Sequence, residues 1–194
     1  MIFKPSNTPE EYIELLHKYS LIGANLERAD LRKHNFDGVN FTNANLRGAD
    51  LTDASLRGAV FARADLSRAC LLRADCEGAD FSGADMTMSY LRAVNFSNAR
   101  MWNVTLKRVT AKNAIFFNAD LLGANVMQAD FLGCRWNGAR LDNIRNREWA
   151  VFYWYMPEGG GPIEYAPGPG LVRLNQSIMG GYSFQENSAR RKEL

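Results

Sequence analysis

The chain has 194 residues, 46% of them apolar, with 23 Lys and Arg against 21 Asp and Glu. That length sets an expectation of one domain around a continuous core, and a net charge of +2 excludes a strongly charged surface with one dominant electrostatic partner. Cys70, Cys76 and Cys134 have neither the paired spacing of a disulfide framework nor the spacing of a zinc site.

Met1 to Lys18 reads as a separate element. Thr8-Pro9-Glu10-Glu11 combines an N-cap, a proline at the first helical position and a capping-box acid, and Tyr12, Ile13, Leu15 and Leu16 follow as an apolar stripe. No basic region precedes an apolar run, so the sequence predicts no secretory signal and a soluble, cytoplasmic protein. The absence of paired cysteines fits a reducing compartment.

From Tyr19 to Asn143 one pattern recurs every five residues without a slip. Ala24-Asn25-Leu26-Glu27-Arg28 is a typical unit: a small residue first, Asn or Asp second, a large apolar residue third, then two variable residues. A period of five fits neither a helix nor a flat strand, so repetition itself must account for the fold. These units resemble those of the pentapeptide repeat family. The resemblance implies an all-β solenoid, a right-handed four-sided β-helix with one pentapeptide per side and twenty residues per coil. The 125 residues from 19 to 143 then make about six coils.

The sequence supports that coil length independently. Phe41, Phe61 and Phe81 recur at intervals of twenty, as do Phe96, Phe116 and Trp136. At a spacing of roughly 4.8 Å between coils, such rings stack into ladders inside the tube. Cys76 and Cys134 replace a large and a small core residue, and His34 stands at an inward position where Ala is usual. An N-terminal helix over Met1–Lys18 would cap the open first coil, with His34 satisfied beneath it.

Outward positions decide function. Second-position Asp65 and Asp85 are stacked carboxylates, but short polar side chains at corners serve backbone hydrogen bonding, which is the expectation here. Nothing resembles a nucleophile with its base, a zinc cluster or a phosphate loop, so no catalytic, metal or cofactor residue is expected and the chain is not expected to be an enzyme.

Arg28, Arg47, Arg68, Lys107 and Arg108 fall on one side and form a basic face. Some members of the family resemble double-stranded DNA in shape and negative charge and protect type II topoisomerases. That role implies an acidic rod, and this one carries thirteen acids against fifteen bases between 19 and 143. Acids interspersed along the basic side also argue against direct nucleic-acid binding.

In the later coils Trp102, Ile115, Phe117, Leu122, Met127 and Leu132 occupy outward positions, a set that needs a partner or a cover. After Asn143 the phase stops, and an aromatic run with Trp149, Phe152, Tyr153, Trp154 and Tyr155 reads as an arm that folds back on the rod or docks a second subunit. This run, Trp149 to Met156, is far too short to span a bilayer. Pro157 to Gly170 is a Pro/Gly-rich extension, and the polar tail from Gln185 completes a C-terminal region over 144–194. The expected function is a non-enzymatic rod that contacts a protein partner or a second copy of itself, within a larger assembly such as a phage particle.

Overall fold

The structure, a computed structural model, describes residues 21–153. The helix expected over Met1–Lys18 and the arm from Trp154 onward lie outside the described residues.

Every pentapeptide carries five backbone N–H groups, and the fold follows from where they go. In the unit Ala24–Arg28 the first-position N–H closes a turn onto the previous unit, 3.0 Å from Leu21 O. Leu26 N–H and Arg28 N–H donate to Asn45 and Arg47 in the coil above, at 2.7 and 2.9 Å. One coil on, Asn45 N–H donates back to Ala24 at 2.9 Å. The fourth-position N–H is left over, and Asn25 Oδ1 accepts it from Glu27 at 3.2 Å. Four groups are thus met by backbone and the fifth by the residue two places earlier, which is why Asn and Asp recur at the second position.

Parallel bridges join each second-position residue to the one twenty residues later, from Asn25↔Asn45 to Asn125↔Arg145. Four pentapeptides therefore close one coil, as the ring spacing predicted. The four walls are named here by their third-position columns. The first wall carries Leu21, Phe41, Phe61, Phe81, Met101 and Leu121; the second Leu26, Leu46, Leu66, Met86, Leu106 and Val126. The third carries Leu31, Leu51, Leu71, Leu91, Ala111 and Phe131; the fourth Phe36, Leu56, Cys76, Phe96, Phe116 and Trp136.

First and third positions point inward and are almost all buried. Phe41, Phe61 and Phe81 stack with centroids 4.8 and 4.9 Å apart and planes within 3° of parallel. Phe96, Phe116 and Trp136 stack at 5.2 and 4.3 Å. Ala111 breaks the leucine column of the third wall, and above it Phe131 meets Phe116 and Trp136 edge-on, at 5.9 and 5.1 Å. Burying each large side chain contributes about 1.5–3 kcal/mol, so the core columns hold the rod together.

Corners fall at the fifth position, where every residue from Gly23 to Asn143 holds a positive φ. Gly and Asn adopt that conformation cheaply, and both recur there.

At the C-terminal end the backbone ladder outlasts the sequence pattern. Asn125 still pairs with Arg145, after which Asn146 turns with φ 60 and a 3-10 turn spans Arg147–Trp149. That turn absorbs one extra residue. Strand β1, Asp130–Leu132, then pairs in parallel with strand β2, Val151–Tyr153, with Asp130 opposite Val151. The start of the aromatic run is therefore laid on the end of the third wall and covers its edge.

Candidate interaction surface

The stacked carboxylates of Asp65 and Asp85 are each engaged locally. Asp65 accepts the N–H of Ser67 at 2.8 Å, and Asp85 accepts both the N–H and the hydroxyl of Thr87, at 2.8 and 2.5 Å. Among the described residues no group of three His, Cys, Asp or Glu is placed to hold a metal ion. Burial pushes the Cys76 thiol well up, and it pushes Cys134 up to about 12, so neither is a thiolate near neutrality. His34 is only half-buried, and its Nδ1 donates to the Arg32 carbonyl of its own turn at 2.5 Å.

The apolar residues of the later coils do not share one face. Trp102 and Leu122 stack on the first wall, Ile115 and Phe117 flank Phe116 on the fourth, Met127 lies on the second and Leu132 on the third. They form a belt. Phe117 is 48% and Trp102 40% exposed, while Ile115 and Leu122 are half-buried. The Arg100 guanidinium sits 4.9 Å over the Trp102 ring, and Arg100 also reaches Asp80 at 3.3 Å. These contacts occupy a shallow groove along the glycine corner of the fourth wall, beside Gly58 and Gly78. Of the aromatic arm, Trp149 is exposed and Phe152 and Tyr153 belong to β2, whereas Trp154 and Tyr155 lie outside the described residues.

Arg28, Arg47, Arg68, Lys107 and Arg108 are brought together on the second wall and its corner with the third. None of them takes part in an ion pair with a described residue, in contrast to many cations on the other walls. Arg32 holds Asp30 at 2.6 Å, Arg73 holds Asp53 at 2.7 Å, Arg57 pairs with Glu77, and Arg140 pairs with both Asp120 and Asp142. Hydrogen bonds from Arg32 hold the Asp30 carboxyl down at about 2, and those from Arg73 lower Asp53. The charges of the third, fourth and first walls are thus partly spent within the rod, and those of the basic face are not.

Two residues at this corner do not stand out in the sequence. Tyr90, 60% exposed, sits at a second position on the third wall, and Met88 holds φ 60 at the fifth position between Arg68 and Arg108. The signal available was departure from column habit: a tyrosine where Asn and Asp recur, and a methionine at a corner that suits Gly or Asn.

The geometry agrees with what is already known of similar chains. The fold is similar to the crystal structure of a pentapeptide repeat protein from the cyanobacterium Cyanothece 51142. That match has 20% identity, 74% coverage of this chain, 97% of the other and a TM-score of 0.50. A pentapeptide repeat protein from the Arabidopsis thaliana thylakoid lumen matches at 33% identity, over 51% of this chain and 66% of its own, with a TM-score of 0.29. QnrB1, a plasmid-mediated fluoroquinolone resistance protein, matches at 21% identity over 63% of this chain and 77% of its own, with a TM-score of 0.31. No curated protein matches in sequence. Among the described residues no helix is long and apolar enough to cross a membrane. The sequence model for pentapeptide repeats matches residues 20–58, 59–98 and 95–133, in eight copies, and with the twenty-residue coil it places this chain in the pentapeptide repeat family, whose members fold as right-handed four-sided β-helices.

Proposed function

We propose that this chain is a non-enzymatic interaction or structural module. It is a rigid rod of about six coils that presents its walls to a protein partner or a second copy within a larger assembly. One observation carries this reading. The backbone frame repeats every twenty residues while the outward residues change from coil to coil, so the rod holds a varied surface on an invariant support. Occupancy of a topoisomerase groove is a poorer fit, because a DNA-like partner presents an acidic surface and the five cations of the second wall carry no ion pair among the described residues.

The test is affinity purification of the full chain from its native source with mass spectrometry, alongside size-exclusion chromatography of the purified protein. A stoichiometric partner or a self-assembled species is expected, together with no effect on gyrase supercoiling or on its inhibition. Protection of gyrase from its inhibitors, or a lone monomer that recovers nothing, overturns the proposal.

A further inference from the structure

Two neighbouring residues at the corner of the second and third walls, Met88 and Tyr90, depart from the residue types that serve the frame best. Met88 holds φ 60, where Gly or Asn is the inexpensive choice. Tyr90 occupies a second position but offers no acceptor to the N–H two residues on, as Asn95 does for Ser97 at 3.0 Å. Packing does not offset the cost at Tyr90. Tyr90 is 60% exposed, and its ring makes no ring contact with the described residues. An exposed ring that gives up a backbone acceptor without structural return marks a place where the chain serves another purpose.

The surroundings give that purpose a chemistry. Arg68 and Arg108 stand one coil below and above Met88 in the same column, Lys107 lies beside Arg108, and Arg92 lies beyond Tyr90. Arg68, Arg108 and Arg92 are exposed, and all four cations are free of ion pairs among the described residues. An exposed tyrosine and a half-buried methionine bracketed by uncompensated arginines have the composition of a binding hot spot.

We infer that this corner docks an acidic segment of another protein, with carboxylates on Arg68 and Arg108 and an apolar side chain against Tyr90 and Met88. The inference rests on the interaction-module reading and names the chemistry of its partner. Nucleic acid fits the same surface less well. Arg68 and Arg108 recur every second coil, roughly 10 Å apart, whereas each strand of a duplex carries a charge every ~3.4 Å.

Fluorescence anisotropy of the full chain with a short labelled peptide, in which Asp and Glu surround a single Leu, tests the inference. Saturable, salt-sensitive binding is expected, and it is abolished by Arg68→Glu with Arg108→Glu. Arg63→Glu with Arg135→Glu, which alters cations elsewhere on the rod that are equally free of ion pairs among the described residues, leaves it unchanged. Tyr90→Asn weakens binding by about tenfold and at the same time raises Tm, because the amide supplies the missing acceptor to Arg92 N–H. A purely structural tyrosine would not separate those two effects. Absence of binding, equal loss in both charge-reversed pairs, or tighter binding of duplex DNA than of the peptide overturns the inference. A partner recovered from the native source that still binds the Arg68→Glu, Arg108→Glu protein refutes this surface alone and leaves the interaction reading standing.

Discussion

A left-handed residue at every corner is the smallest device on which the rod depends, and its cost varies with what lies beneath. Gly78 holds φ +67 with open space where a Cβ would go, whereas a Cβ on Gly138 would collide with Asn118 Oδ1 in the coil below. Gly78→Ala is expected to cost about 1–2 kcal/mol, the ordinary penalty of a left-handed L-residue. Gly138→Ala should cost more, because Asn118 must rotate away. Urea unfolding of both variants checks this, and in an Asn118→Gly background the excess at position 138 should vanish. The corner glycines were visible in the sequence, but the demand for positive φ at every corner was not. Arg63, Arg68 and Met88 adopt it too, since a penalty of this size is readily absorbed by a buried core and leaves only a weak mark on composition.

A single wall shows how surface chemistry is tied to the frame. Asp30 accepts the N–H of Arg32 at 3.3 Å and is clasped by the Arg32 guanidinium at 2.8 and 2.6 Å. That clasp is the main reason its carboxyl lies at about 2 rather than 3.8. A carboxyl held lower in the folded than in the unfolded chain stabilises in full above about 3.8, and that contribution is lost as pH falls toward about 2. Arg32→Gln should therefore lower stability slightly at neutral pH, flatten its pH dependence between those values and leave stability near pH 2 unchanged, as chemical denaturation at stepped pH would show. The effect is modest, because the pair is exposed and screened by solvent. The backbone service of the second-position Asn and Asp was legible because it recurs. The uncompensated state of Arg68 and Arg108 was not, because ion pairing depends on which residues fall twenty places apart and on the rotamers they take. The same holds for the apolar belt. Its members are outward in the sequence, but only the coil shows that Trp102 and Leu132 lie on different walls.

At the scale of the molecule, the period of five and the ring spacing of twenty were enough to give the wall count and the core columns. The extension of the ladder to β2 was hidden, because a 3-10 turn at Arg147–Trp149 shifts the phase by one residue and no pattern follows it. In such a stack each coil touches only its neighbours, so stability is distributed along the rod as intrinsic and nearest-neighbour contributions. Leu66, fully buried between Leu46 and Met86, probes this directly. Leu66→Ala should cost about 2–5 kcal/mol, since the narrow tube cannot collapse into the space. The buried thiols report where that loss is felt: Cys76 belongs to the same coil as Leu66, and Cys134 lies nearly three coils further on. Under native conditions alkylation should reach only Cys70 quickly, because it alone is partly exposed. In Leu66→Ala, labelling of Cys76 should accelerate about thirtyfold or more, and that of Cys134 markedly less. Equal acceleration at both thiols would mean that the coils open only as one unit, and would refute the nearest-neighbour account of the rod.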